Sequence, residues 1–267
     1  MSMRVLSLGA GVQSTTLLYM AERGEIERFD RIVFADTGWE PPDVYAHLTG
    51  LLSEIMLDHP DHPDNLRIDI VSAGNIREDL IANAKGEGDR FASLPVYLTN
   101  PDGGSGMLRR QCTKQYKLDP IRRYLRAIRN GATIDLVMGI SLDEAVRMRD
   151  SDVRYIRNVY PLVDLRMTRA DCMAWLTTHG YPIPPKSACV GCPFHDNRRW
   201  REIRDAQPEA WTEAVAVDQA IRRLPRIDGD VFLHRDRVPL DQVDLSTPED
   251  RGQLPLFAME CEGLCGV

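Results

Sequence analysis

Cys189 and Cys192 are separated by Val190 and Gly191, and Cys112 lies far upstream. A Cys-x-x-Cys turn brings two thiolates to one ion or cluster, and soft sulfur ligands suit zinc or an iron–sulfur centre. Pro182, Pro184 and Pro185 break the chain just before the pair. A thioredoxin-type redox pair would open a helix after a first strand, which Cys189 does not do. An iron–sulfur site and a structural zinc staple both remain open. Cys261 and Cys265 stand four residues apart near the C-terminus. We assign Cys265 as a fourth ligand and Cys261 as a reactive thiol, with the reverse as the alternative. Such a thiol needs its pKa lowered by cationic neighbours or a helix end. Cys172, beside Met173 and Leu176 at helical spacing, reads as a core thiol.

A second chemical feature opens the chain. The apolar run of residues 3–8 ends in Gly9-Ala10-Gly11-Val12-Gln13-Ser14, and helical spacing follows to Arg23. Glycines between a strand and a helix let backbone approach phosphate, and the helix start supplies N–H groups and a positive dipole end. Ser7, Gly9, Gly11, Gln13 and Ser14 are therefore candidate nucleotide-binding residues. The pattern is neither GxGxxG nor a Walker A loop. Asp36-Thr37-Gly38 closes the next apolar run, where it either meets a ribose or adenine edge or caps the helix after Pro41. His59 and His62 lie in a polar loop, and His195 reads as an exposed turn or as a residue behind the metal ligands.

The elements that must position these groups alternate. Strands are predicted over residues 3–8, 31–35, 66–71, 134–140 and 155–162. Helices are predicted over 13–23, from Pro41 through Ile55, and over 76–84, 119–130 and 208–224, with another capped by Thr168 and Asp171. Alternation implies a parallel sheet covered on both faces, with ligands at the carboxyl ends of its strands. Gly9, Asp36 and Gly139 all fall at such ends. Residues 85–110 are dense in turn formers and read as a mobile loop over a site or as a surface insertion. The last forty residues read as irregular. Trp175, Trp200 and Trp211 sit at helical positions and read as core.

With 267 residues, the chain suits one large domain or a domain with an appendage. The division expected is a nucleotide-binding α/β part, 1–165, and a mainly helical, cysteine-bearing part, 166–267. No apolar run approaches the roughly 18 residues of a membrane span, and the first residues lack the features of a signal peptide. A cytoplasmic protein with reduced or metal-bound cysteines is expected. The net charge of −7 argues against a generic nucleic-acid coat. Basic residues nevertheless cluster over 109–129 and 198–204, as solvated helix faces or as a local anion-binding surface.

The order of these features resembles the phosphoadenosine-phosphosulfate reductase family within the PP-loop ATP-pyrophosphatase group. The residues that carry the resemblance are the Gln13-Ser14 loop, Asp36-Thr37-Gly38, Arg110-Gln111-Cys112 with Lys114 and Lys117, Gly139-Ile140 with Asp143, Glu144 and Arg147, Pro161-Leu162, and Cys189 to Cys192. The resemblance implies a doubly wound sheet of five parallel strands with ATP or an adenylyl sulfate, and Mg²⁺, at its carboxyl edge. It also implies a [4Fe-4S] cluster, and roles for Lys114 in catalysis and for Asp36, Thr37, Gly139 and Arg147 around the nucleotide. The chain departs from the reductases where their Cys-Cys pair is Gln111-Cys112, and from the usual loop where Gln13 replaces an acid. Three cluster cysteines in a PP-loop chain are similar to the tRNA thiolases. There, adenylation with loss of pyrophosphate precedes sulfur transfer to a nucleobase, which implies a tRNA or other nucleic-acid acceptor and a sulfur donor. A sulfonucleotide reductase using a C-terminal cysteine with a reductant, and a non-catalytic nucleotide-binding module with structural zinc, are the alternatives.

Overall fold

Alternate residues of the first strand pack into different cores. Leu6 and Leu8 join one apolar cluster, while Val5 joins another. The same division recurs in residues 31–36, where Ile32 and Phe34 face one way and Val33 and Ala35 the other. A strand buried on both faces reads as a continuous apolar run, as these do. The computed structural model describes residues 2–58, 67–87 and 94–252.

Its strands are β1 (Ser2–Leu8), β2 (Arg31–Asp36), β3 (Ile68–Ser72), β4 (Tyr97–Thr99), β5 (Ser105–Met107), β6 (Thr133–Met138), β7 (Ile156–Val159) and β8 (Asp230–Phe232). Its helices are α1 (Val12–Glu22), α2 (Pro42–Asp58), α3 (Ile76–Ala84), α4 (Asp119–Ile128), α5 (Pro161–Asp164), α6 (Arg169–Thr178), α7 (Asn197–Ala206) and α8 (Pro208–Ala220). The main sheet has the order β3-β2-β1-β6-β7, and every pairing is parallel. Leu6 aligns with Ile32 on one side and Val137 on the other. One face packs against α1, α2 and α6 through residues such as Leu17, Leu48 and Cys172. The other face packs against α4 through Ile121 and Leu125. This is the five-stranded, doubly wound sheet expected from the alternation. Each fully buried Leu, Ile or Val stabilises by about 1.5–3 kcal/mol, so the two faces outweigh any single cap or turn.

Local signals hold where they rest on named side chains. Thr168 and Asp171 form a reciprocal capping box at α6, and Asn75 caps α3 by accepting from the N–H groups of Arg77 and Glu78. Burial pushes the Cys172 thiol up to about 12, in keeping with a core role. Trp200 is fully buried, and Trp175 and Trp211 are half-buried. The predicted fifth strand stops at Val159 because Pro161 opens α5.

Two expectations change. Within residues 85–110 the chain forms the hairpin β4–β5, closed by the Asn100 N–H donating to the Gly104 carbonyl and the Gly103 N–H to the Asn100 carbonyl. That hairpin joins β8 in an antiparallel sheet of order β5-β4-β8, so the tail also contributes a strand. β8 lies far away in sequence, so the short run Tyr97–Thr99 shows no partner locally. A third core lies here, with Trp39, Tyr116, Val190, Trp200 and Val231. On α7, Arg198, Arg201 and Arg204 pair with Glu249, Asp250 and Asp205, so this basic run is a solvated, ion-paired face. Among the described residues no helix is long and apolar enough to cross a membrane.

His234 ties this third core together. Its Nε2 lies 3.2 Å from Asn197 Oδ1, and its Nδ1 accepts from the Asp236 N–H. Asn197 in turn donates to the carbonyls of Asp244 and Ser246. Burial holds the imidazole below its usual pKa, so the folded state resists a proton that the unfolded chain accepts near its pKa of about 6.5. The stabilisation is present above that value and is lost as pH falls below it. Between about pH 7.5 and about pH 5.5 the wild type should lose up to about 1 kcal/mol more stability than His234→Gln. Urea unfolding of both proteins at both pH values checks this, and equal losses would reject the assignment.

Candidate functional site

Two cavities share a wall at the carboxyl edge of the main sheet. The larger has a volume of about 420 Å³, within the usual range for a small-molecule site. It opens where β1 lies between β2 and β6, the point at which the chain's winding reverses. Ser7 lines it from β1, Gly9 and Gly11 from the turn that follows, Gln13 and Ser14 from α1, and Gly139 and Arg147 from beyond β6.

The glycines act here through space rather than unusual dihedrals. Gly11 is the N-cap of α1 with an extended φ of −106°, and the left-handed residue of the turn is Ala10, at φ 53°. Gly139 is different: an added Cβ would lie 2.7 Å from the Ser14 N. Only glycine lets the end of β6 pass so close to α1. The Ser14 hydroxyl accepts from the Gly9 N–H at 3.1 Å, and the Ser187 hydroxyl donates to the Gly9 carbonyl. The first N–H groups of α1 lack intrahelical partners and carry the positive end of its dipole.

The cavity wall is cationic in an acidic protein. Lys117, Arg122, Arg147, Arg149, Arg169 and Lys186 line it, against Glu144, Asp150 and Asp152. Gln13 Nε2 donates to Glu144 Oε2 at 3.2 Å, and Arg147 pairs with the same carboxylate. Gln13 thus reaches a carboxylate, Glu144, that comes from the segment after β6. Phe34, Leu136 and Met138 give the cavity an apolar side suited to a planar base.

The smaller cavity, of about 30 Å³, is lined by Cys112, Cys189 and Cys192 together with Thr37 and Arg110. Lys117 and Ala188 line both cavities. Cys112 precedes a π-helical turn, Thr113–Leu118, which buries Tyr116 and turns Lys117 toward the site. Such turns recur at functional sites. The Cys189–Cys192 turn is held by three hydrogen bonds to two backbone carbonyls. Cys192 N–H and the His195 ring both bond the Cys189 carbonyl, at 3.0 Å each, and Val190 N–H bonds the Trp39 carbonyl at 2.9 Å. Gly191 packs closely against the Trp39 indole, where an added Cβ would come within 2.1 Å of the ring.

Burial, followed by the neighbouring Glu40 carboxylate, raises the Cys189 thiol above its ordinary range. It therefore stays protonated unless a metal or cation draws the proton off. Three sulfur donors from two chain segments around one pocket form a soft donor set that fits an iron–sulfur centre or zinc. Among the described residues no group of three His, Cys, Asp or Glu side chains is close enough to hold a single ion.

Other candidates fall elsewhere. Thr37 lies at the thiol pocket, 3.3 Å from Cys189 Sγ, and Asp36 accepts from Tyr45 and the Gly38 N–H; neither lines the larger cavity. Lys114 is exposed and lines neither cavity, and Lys117 occupies the shared wall. His195 is buried rather than an exposed turn, and burial lowers its pKa to about 3. Cys261, Cys265, His59 and His62 lie outside the described residues. Glu40, Lys186 and Ser187 are missed by sequence reasoning, because nothing in their local pattern marks them.

No protein-family model matches the chain, and no curated protein matches it in sequence. Among solved structures it is similar to "U34-tRNA thiolase NcsA from Methanococcus maripaludis with its [4Fe-4S] cluster", at 10% identity over 88% of this chain and 77% of that one, with a TM-score of 0.37. A likeness at that level carries no weight for what the chain does.

Gly11→Val should leave the melting temperature nearly unchanged, since its φ is extended and only Ser187 lies near, at 3.6 Å. It should weaken ATP binding by about ten-fold or more, worth about 1.4 kcal/mol. Gly139→Ala should lower both stability and affinity. Calorimetric titration with ATP tests the pair, and wild-type affinity in Gly11→Val would remove this turn from the site.

Proposed function

We propose that the chain is an ATP-dependent sulfur transferase, or a related adenylating enzyme, acting on a nucleobase or nucleotide. Cys112, Cys189 and Cys192 would hold its [4Fe-4S] cluster. The observation that carries this reading is the shared wall: Lys117 and Ala188 border both the nucleotide-sized cavity and the pocket of three thiols. An activated phosphate and a sulfur carrier can meet there without leaving their sites.

The residues divide the work by chemistry. Gly9 and Gly11 let backbone N–H groups reach phosphate oxygens, and the α1 N-terminus stabilises the charge that develops as pyrophosphate leaves. Arg147 and Lys186 add cationic side chains, and Glu144 offers a carboxylate toward Mg²⁺. Phe34 and Met138 pack against the adenine. Adenylation of a carbonyl oxygen turns it into a leaving group. A cluster, when bound by Cys112, Cys189 and Cys192, would present sulfide from a separate sulfur donor, and the oxygen would leave with AMP. Exposed Arg109, Lys114, Arg123 and Arg126 form a basic surface for a nucleic-acid backbone, tRNA included.

Anaerobic purification with iron, sulfide and zinc analysis, followed by an ATP assay with unmodified tRNA, tests this reading. Brown protein absorbing near about 400 nm that releases AMP and pyrophosphate is expected. Sulfite release from an adenylyl sulfate would instead make it a reductase, and colourless zinc protein without turnover would make it a binding module.

A further inference from the structure

We infer that Ser187 is a positioning residue through which a nucleotide in the larger cavity tightens the chain around the thiol pocket, a role that rests on the nucleotide reading above. Residues 185–189 run as a strap between the two cavities. Pro185, Lys186 and Ser187 line the larger one, Ala188 lines both, and Cys189 lines the smaller.

The strap is fastened on both sides. On the nucleotide side the Ser187 hydroxyl donates to the Gly9 carbonyl, and its Cβ lies 3.6 Å from where a Cβ on Gly11 would stand. On the thiol side Cys189 Sγ lies 3.3 Å from the Thr37 hydroxyl oxygen, and the Val190 N–H bonds the Trp39 carbonyl at 2.9 Å. Only Ala188 separates Ser187 from Cys189, and it is buried with its N–H on the Lys186 carbonyl at 3.2 Å. Two residues of chain span about 7 Å at most, so movement at one fastening reaches the other with little slack.

Gly9 is the point where the strap meets the turn. Its N–H donates to the Ser14 hydroxyl at 3.1 Å, and its carbonyl accepts from Ser187. The peptide that follows is trans and planar, so a hydrogen bond that holds the Gly9 carbonyl also sets the direction of the Ala10 N–H. Phosphates bound at the start of α1 hold this turn still, and a strap hung from its carbonyl then opens less often. A ligand shifts an opening equilibrium only by binding the closed form better. Opening the strap would take Lys186 and Ser187 out of the cavity wall, which supplies that difference.

Coupling of this kind is reciprocal. A nucleotide closes the thiol side, and occupation of the thiol side tightens the nucleotide, so the two halves of the site are complete together. Lys117 offers a second route, since it lines both cavities and its Nζ lies 3.5 Å from Glu40 Oε1. It stands on a different segment, so removing the Ser187 hydroxyl separates the two routes.

Hydrogen exchange of the anaerobically purified full chain, read by mass spectrometry with and without a non-hydrolysable ATP analogue and Mg²⁺, tests this in wild type and Ser187→Ala. The amides of Val190 and Cys192 report opening of the strap, because each donates to a backbone carbonyl. Saturating analogue should slow their exchange about ten-fold in wild type and less than about two-fold in Ser187→Ala. A loss of stability alone would speed exchange in both conditions and leave that ratio unchanged. Ser187→Ala should still bind the analogue by calorimetry and protect the first amides of α1, since those contacts remain. Full slowing at Val190 and Cys192 in Ser187→Ala would overturn the role of Ser187 and leave the nucleotide reading intact. Wild type that does not bind the analogue would overturn both. Should Ser187→Ala fail to melt cooperatively, wild type decides: slowed exchange at the two amides supports the coupling, and analogue binding without it rejects the coupling.

Discussion

The contact between Trp39 and Gly191 joins the two halves of the site. An indole can lie on a backbone only where no Cβ intervenes, and at Gly191 the space is closed to within 2.1 Å. The Val190–Trp39 hydrogen bond adds direction to that packing. Together they fasten the loop after β2 to the cysteine turn. β2 is a central strand buried on both faces, so the cysteine turn inherits its rigidity. The Trp39–Gly191 contact adds to the Ser187–Gly9 hydrogen bond and the Thr37–Cys189 contact in holding Cys189 and Cys192 beside the sheet.

A second close approach shapes the larger cavity. Gly139 brings the end of β6 against the N-terminus of α1, which places Gly9–Ser14 and the Glu144–Arg147 segment on opposite sides of one crevice. The two approaches are linked through residues 185–189. Ser187 bonds the Gly9 carbonyl, Ala188 lines both cavities, and Cys189 follows directly. Charge follows the same geometry. Cations collect around the larger cavity, while on α7 they are offset by paired acids.

The elements most legible from sequence were those whose signals are local. The first two strands of the main sheet read as apolar runs and the third from its alternation, and α3 and the Thr168 cap could be placed from a few neighbouring residues. The hairpin β4–β5 was not legible, because its short strands gain their stability from β8 and a distant core. Glu40 and His195 were not legible for a similar reason. Nothing about a glutamate after a tryptophan, or a histidine in a turn, reveals whether its surroundings will be dry.

Composition, periodicity and cysteine spacing by themselves determined a parallel α/β sheet, a glycine-rich turn at a strand end and a pair of thiols on one loop. These are short-range properties, fixed by steric preference and by the two periods of regular backbone. The order of motifs had already grouped Cys112 with that pair, but tertiary structure alone decided that Thr37 faces the thiols, and that Lys117 rather than Lys114 stands in the shared wall. It also decided that Glu40 is buried with one oxygen unmatched among the described residues. The physical reason is that burial, pairing and charge compensation depend on segments distant in sequence, such as Thr37 and Cys189, which meet only when the cores close.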